Sequence, residues 1–186
     1  MVTPHATAAA DTRLQREIGA AIRDIPDFPK PGILFKDITP LLGDARLFRL
    51  AAEGMAAPFA GDGITHVVAI ESRGFLLGAP VAQHLGVGLV PVRKPGKLPS
   101  RTQRLEYALE YGVDSLEVHV DACGADARVL VVDDVLATGG TASTTCKLME
   151  SVGARVIGCS FLLELTQLHG RRALGDGRRV SAIIQC

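Results

Sequence analysis

Residues 129–145 read VLVVDDVLATGGTASTT, and their pattern indicates the class of fold. Four apolar residues, Val129 to Val132, follow one another without polar alternation, as in a strand buried on both faces of a parallel sheet. The run ends at two carboxylates, Asp133 and Asp134, and a turn rich in glycine and threonine then leads into a helical segment. Such a turn binds anions, whereas carboxylates accept hydrogen bonds from hydroxyls. The pattern predicts a site for a sugar phosphate such as ribose 5-phosphate.

Strand and helix patterns alternate along the rest of the chain. Strands are predicted at 65–70, 88–92, 128–132, 155–163 and 180–184, and helices at 11–24, 44–59, 75–84 and 141–152. This alternation predicts an α/β fold with a doubly wound, mainly parallel five-stranded sheet and flanking helices, whose ligands bind at the carboxyl ends of the strands. Residues 93–127 contain charged loops and weak alternation, which indicate a flap or hairpin outside the core. The sequence has no GxxxxGK[ST] motif, so a P-loop enzyme is disfavoured.

Composition favours one domain in a reducing compartment. The chain has 186 residues, of which 47% are hydrophobic, and its twenty acidic and twenty basic residues balance. A substantial core is therefore possible, and a nucleic-acid or membrane partner is disfavoured. Residues 1–10 lack the features of a signal peptide and are expected to be a disordered tail, followed by a single domain at 11–186. No apolar run approaches the ~20 residues of a membrane helix.

The four cysteines favour a cytoplasmic location. Cys123, Cys146, Cys159 and Cys186 have no CxxC spacing. Cys146 and Cys159 fall within a helix pattern and a strand pattern, which indicates buried thiols. We therefore expect reduced cysteines, without disulfides or a zinc site.

Five segments resemble, in chain order, motifs of the type I phosphoribosyltransferase family, and in particular those of its adenine-using members. They are PDFPKPGILFKDIT (26–39), ESRGF (71–75), VRKPGKLP (92–99), LEYG (109–112) and the stretch at 129–145. The resemblance implies a small N-terminal hood at 11–40 and a flexible flap at 93–112. It also implies conversion of adenine and 5-phosphoribosyl 1-pyrophosphate (PRPP) to AMP and pyrophosphate in purine salvage. A homodimer is expected, as is Mg²⁺ held mainly by the substrate, with no direct protein ligand.

The same resemblance assigns residues to the two ends of PRPP. The ribose-phosphate part is assigned to Asp133, Asp134, Ala137, Thr138, Gly139, Gly140 and Thr141. Pyrophosphate is assigned to Glu71, Ser72, Arg73, Arg93, Lys94 and Lys97, with a cis peptide bond at Glu71–Ser72. Arg73 would neutralise the departing pyrophosphate during catalysis. From the residues alone, Arg73 could instead form a surface ion pair, and the cluster at 93–97 could be a solvated loop.

The base is assigned to the proline-rich segment. By resemblance, adenine lies between Phe35 and Val135, the backbone at Leu34 reads its Watson–Crick edge, and Lys36 lies near N3. Relatives often carry arginine at the Lys36 position, so the contact made by lysine there is left open. From the residues alone, Ile33 to Phe35 could equally be core residues that cap the sheet edge.

Two flap residues, Glu110 and Tyr111, match a pair of the family in which Glu110 serves proton transfer at the base. Hypoxanthine-guanine enzymes typically carry an aspartate two residues before the first loop glycine, where this chain has Ala137. That difference favours adenine over oxopurines. The alternatives are a hypoxanthine, guanine or other nucleobase transferase, and a non-catalytic PRPP-sensing regulator. The regulator would need an output module, yet the sequence shows neither a helix-turn-helix pattern nor a basic surplus.

Overall fold

A computed structural model of the chain describes residues 4–109 and 112–186. The helices are α1 (Pro4–Ala20), α2 (Thr39–Gly43), α3 (Ala45–Ala56), α4 (Arg73–Leu85), α5 (Gly140–Ser151) and α6 (Gly170–Leu174). The strands are β1 (Arg23–Ile25), β2 (Phe35–Asp37), β3 (His66–Ile70), β4 (Gly88–Val92), β5 (Thr102–Leu109), β6 (Gly112–His119), β7 (Arg128–Leu136), β8 (Arg155–Glu164) and β9 (Val180–Gln185). Short 3₁₀ turns lie at Ala57–Phe59 and Thr166–Leu168.

The central sheet consists of five parallel strands in the order β4-β3-β7-β8-β9, which confirms the predicted fold class. Its middle strand, β7, explains the unbroken apolar run. Val129 and Val131 pack on the α5 side of the sheet, whereas Leu130 and Val132 pack on the side covered by α3 and α4. Neighbouring residues of one strand thus enter two different cores, so no position in the run can be polar.

Helix α1 differs from the sequence analysis at both ends. It begins at Pro4, inside the segment expected to be a disordered tail, and it ends at Ala20 instead of Asp24. Proline is favoured in the first turn of a helix, and the alanines that follow it have the highest helix propensity. At the other end, Arg23–Ile25 pairs with Phe35–Asp37 in a two-stranded antiparallel sheet. That sheet lies within the segment 11–40, for which a hood is predicted.

The hairpin of β5 and β6 corrects the expectation that residues 93–127 stay outside the core. Leu116 and Val118 are fully buried in the core on the α5 side of the sheet. The strand β6 alternates, with these two side chains inward and more polar neighbours between them, and its burial depends on packing against the distant helix α5. The hairpin therefore extends beyond the predicted flap at 93–112. Glu110 and Tyr111, for which the sequence analysis predicts roles at the base, lie outside the described residues.

None of the helices within 4–109 and 112–186 combines the length and the apolar character needed to cross a membrane. All four cysteines are free thiols. Cys146 and Cys159 are buried as expected, with their Sγ atoms 3.6 Å apart, while Cys123 is half-buried and Cys186 is exposed.

Candidate active site

A cavity of about 450 Å³ opens at the carboxyl ends of β3 and β7, where ligands bind in parallel sheets of this kind. Three segments distant in sequence meet there: the hood, the loop after β3 and the end of β7. The lining residues are Ile33, Leu34, Phe35, Lys36, Glu71, Ser72, Arg73, Lys94, Asp133, Asp134, Val135, Ala137, Thr141 and Leu165. The cavity is therefore lined by all the residues predicted to bind the base and by both predicted carboxylates.

The turn after β7 forms a second, smaller cavity of about 80 Å³. Its lining includes the remaining predicted phosphate residues, namely Thr138, Gly139 and Gly140. Helix α5 begins at Gly140, and Gly139 before it has φ 83°, a left-handed conformation that favours glycine. The first N–H groups of a helix have no partner within that helix, and the helix dipole adds partial positive charge at this end. This arrangement is typical of phosphate-binding turns, so the segment 137–141 is termed the phosphate turn.

The two carboxylates at the end of β7 form a buried pair. Asp134 is 5% exposed, and its Oδ2 lies 2.7 Å from Nε of Arg73. Oδ1 of Asp133 accepts a hydrogen bond of 2.9 Å from the Asp134 N–H. Burial, together with the charge of Asp134, raises the pKa of Asp133 well above its usual range. Burial also raises the pKa of Asp134, against the opposing effect of Arg73. Hydroxyl groups or cations of a ligand would stabilise the ionised form of this pair.

Arg73 connects the carboxylate pair with the hood. Its Cζ lies 5.0 Å from the centroid of the Phe35 ring, a cation–π distance. The Phe28 ring meets Phe35 edge to face, with the centroids 5.1 Å apart. Arg73 is thus paired with a buried carboxylate and an aromatic face of the cavity. This placement disfavours the alternative reading of Arg73 as part of a surface ion pair.

The base segment presents apolar groups to the cavity. Ile33 and Leu34 are 44% and 50% exposed, so they are not core residues of the sheet edge. Gly32, with φ 85°, shapes the turn before them, and its N–H donates to Oδ1 of Asp27 at 2.7 Å. The Lys36 ammonium pairs with Oδ1 of Asp24 at 2.7 Å. An apolar surface with a few placed polar groups is typical of a small-molecule site.

Glu71 organises the loop after β3. The Glu71–Ser72 peptide bond is cis, as the resemblance implies. The carboxylate accepts hydrogen bonds from Arg93 Nε at 3.2 Å and from the Lys94 N–H at 3.0 Å, and it pairs with the Lys97 ammonium. Arg93 and Lys97 therefore converge on Glu71, outside the described lining of the cavity, while Lys94 reaches the cavity itself.

These contacts make the stabilising effect of Glu71 depend on pH. Burial alone would raise the pKa of Glu71, but Lys97, the Lys94 N–H and Arg93 lower it to about 2. A carboxylate with a lowered pKa stabilises the fold above its ordinary value of 4.5, and this stabilisation is lost as the pH falls towards about 2. Glu71→Gln should therefore lower the free energy of unfolding at pH 7. The difference from wild type should shrink below pH ~4.5 in urea titrations. A difference that stays constant from pH 7 to pH 3 would contradict this role.

Leu165 and Gly170 are among the residues at this site that sequence reasoning missed. Leu165 lines the cavity directly after β8, so the rule that ligands bind at strand ends could have identified it. Gly170 opens α6, and a Cβ atom at this position would overlap with the carbonyl oxygen of Ala137. A Cβ atom at Gly139 would in turn overlap with the carbonyl oxygen of Gly170. Helix α6 thus supports the phosphate turn through backbone contact.

Comparisons with known proteins agree with this geometry. The phosphoribosyl transferase domain family matches residues 44–174. A protein named adenine phosphoribosyltransferase from Methylococcus capsulatus is 57% identical over 168 residues, which cover 90% of this chain and 98% of that protein. One of the same name from Myxococcus xanthus is 54% identical, covering 94% of this chain and 95% of that protein.

Solved structures show the same similarity. The crystal structure of adenine phosphoribosyltransferase from Rhodothermus marinus superposes with a TM-score of 0.90 at 52% identity, covering 94% of this chain and 99% of that one. The Saccharomyces cerevisiae enzyme, complexed with an imino-altritol bisphosphate and adenine, superposes with a TM-score of 0.87 at 37% identity, covering 92% and 99%. The chain belongs to the phosphoribosyltransferase family, among the adenine phosphoribosyltransferases.

Proposed function

We propose that the chain transfers the 5-phosphoribosyl group of PRPP to adenine and releases AMP and pyrophosphate. The observation that carries this proposal is the cavity that joins an aromatic base surface at Phe35 to the carboxylate pair and shares lining residues with the smaller cavity of the phosphate turn. The relative from Saccharomyces cerevisiae has been crystallised with adenine. Proteins of the same family name match this chain over nearly their full length.

In the proposed reaction, the bond from C1 of the ribose to the pyrophosphate oxygen breaks, and its electron pair leaves with pyrophosphate. Positive charge then spreads over the ribose ring until N9 of adenine attacks C1 from the opposite face. Asp133 and Asp134 would bind the ribose hydroxyls and stabilise that positive charge, and Arg73 and Lys94 would neutralise the departing pyrophosphate. The proton lost from adenine is assigned by resemblance to Glu110. This assignment remains a prediction.

The residues at the site fit Mg²⁺ bound chiefly through substrate oxygens. Among the described residues, no group of three or more His, Cys, Asp or Glu side chains could hold a metal ion. Asp133 and Asp134 nevertheless supply hard oxygen atoms beside the place proposed for the ribose and pyrophosphate, and Mg²⁺ commonly binds through one or two carboxylates plus phosphates. When bound, the ion would neutralise charge on the pyrophosphate. A homodimer and a cytoplasmic location are further proposals. The dimer rests on the family resemblance, and the location is supported by the free thiols.

Pyrophosphate release in the presence of PRPP and one nucleobase at a time tests the function. We expect kcat/KM for adenine to exceed that for hypoxanthine or guanine by at least about 100-fold. A pocket that pairs the 6-amino group leaves buried polar atoms unmatched with an oxopurine, at about 3 kcal/mol. A reaction without a base is the control for hydrolysis of PRPP. Comparable turnover of hypoxanthine would contradict the choice of adenine, and PRPP binding without turnover of any base would indicate a regulator.

A further inference from the structure

Lys94 reaches the cavity from the loop after β4, and two side chains of the β5–β6 hairpin hold its ammonium group. One is Asp114, whose carboxylate forms a close ion pair with it. The other is Tyr107, whose hydroxyl lies 3.5 Å from Nζ. The Tyr107 hydroxyl also donates a hydrogen bond of 3.1 Å to Oδ2 of Asp114. Tyr107 and Asp114 are direct cross-strand partners, so the hairpin register itself places them side by side.

One member of this group, Tyr107, also contacts the phosphate turn. The Tyr107 hydroxyl lies 3.4 Å from Oγ1 of Thr141, and its ring packs beside Gly140, the first residue of α5. Thr141 lines both the large cavity and the smaller cavity of the phosphate turn. A continuous chain of polar contacts thus runs from Asp114 through Tyr107 to the place proposed for the ribose 5-phosphate.

We propose that Asp114 is a positioning residue for the transfer reaction. It holds the Lys94 ammonium in the cavity for the pyrophosphate group and, through Tyr107, ties the hairpin to the phosphate turn. This inference rests on the proposed function, because it concerns the leaving group of that reaction.

Electrostatics and entropy both favour this role. A lysine side chain loses considerable conformational freedom when it is fixed, and the ion pair with Asp114 imposes that loss before the substrate arrives. The ammonium has three N–H donors, so contacts with Asp114 and Tyr107 leave one for a phosphate oxygen. A donor fixed in this way gains most when negative charge builds up on the departing oxygen, which is a transition-state effect.

Asp114→Asn tests the proposal, since the amide keeps the size of the side chain and an acceptor for Tyr107 but removes the charge. We expect kcat to fall about tenfold and Kd for magnesium pyrophosphate, measured by calorimetry, to rise about tenfold, with KM for adenine unchanged. The decisive comparison is a double-mutant cycle with Lys94→Met. If Asp114 acts through Lys94, adding Asp114→Asn to Lys94→Met should change neither quantity further.

Asp121→Asn is the matched control, because Asp121 is exposed in the turn that follows β6, and wild-type values are expected for it. Wild-type kcat and pyrophosphate affinity in Asp114→Asn would overturn the proposal. A further tenfold loss in the Lys94→Met background would overturn it as well. Failure of the proposed function itself would appear differently, as an absence of turnover in the wild type. In that case the pyrophosphate affinities of the four variants of the cycle would still decide the role of Asp114.

Discussion

Replacing Asp134 by asparagine is expected to lower kcat/KM for PRPP by about 10³-fold while the fold stays intact. Asp134 is almost fully buried, and its Oδ2 lies 2.7 Å from Arg73 Nε. Asparagine keeps the shape but loses the charge that would bind ribose hydroxyls and stabilise the positive sugar. Removing one preorganised electrostatic group from such a site typically costs about 10²–10³-fold, and the substitution also releases Arg73 from its partner.

The thermal midpoint of Asp134→Asn is expected to shift by only a few degrees, which corresponds to about 1 kcal/mol. Burial beside a second carboxylate raises the pKa of Asp133, so removing the neighbouring charge relieves a repulsion. That relief offsets the loss of the ion pair with Arg73, whose side chain is 39% exposed.

Initial rates at varied PRPP and saturating adenine, together with thermal unfolding, measure both effects. Asp62→Asn is a matched control, since it breaks the 2.5 Å ion pair between Asp62 and Arg179 without touching the cavity. It should leave kcat/KM unchanged. A strongly lowered thermal midpoint in Asp134→Asn would instead identify the carboxylate as a structural cap of the strand. The assignment of the ribose site to Asp134 would then be wrong.

The central sheet could be predicted because the burial of its strands on both faces requires a pattern in consecutive residues. In β7, Val131 packs in one core and Val132 in the other. Burial on both faces of the strand therefore requires consecutive apolar residues, which can be recognised in the sequence. The carboxylates follow at the strand end, where parallel sheets bind ligands. The ribose and phosphate segments follow this strand end, whereas the base segment is assigned by family resemblance. Their members line one cavity or the adjoining turn.

Features that depend on contacts between distant segments could not be predicted. Leu116 and Val118 alternate with more polar neighbours, and only packing against α5 shows that they are buried. The three cationic residues at 93–97 have the same charge and lie close together in sequence. In the structure, however, Arg93 and Lys97 form ion pairs with Glu71, whereas Lys94 lines the cavity. Local sequence records the charge of such residues but not the partner that fixes their direction.

Gly170→Ala is expected to lower kcat/KM for PRPP on the order of 10³-fold, a large effect for the addition of one methyl group. Gly170 is buried at the start of α6, and a Cβ atom there would overlap with the carbonyl oxygen of Ala137. Because backbone occupies that space, the phosphate turn must shift. A shift of about 1 Å in a positioning group can cost 10²-fold, and here the loop N–H groups and Thr141 would move together.

The free energy of unfolding of Gly170→Ala distinguishes steric overlap of the added Cβ atom from the entropic effect of replacing glycine. Exchanging glycine for alanine where the backbone and the space allow it stabilises a protein by about 0.4–1 kcal/mol, so Gly170→Ala should destabilise because the space is filled. Gly124→Ala is the matched control, since nothing lies within 4 Å of its added Cβ atom, and it should keep wild-type activity. If Gly170→Ala were as active and as stable as this control, α6 would not support the phosphate turn. Its close approach to Ala137 would then have no part in binding PRPP.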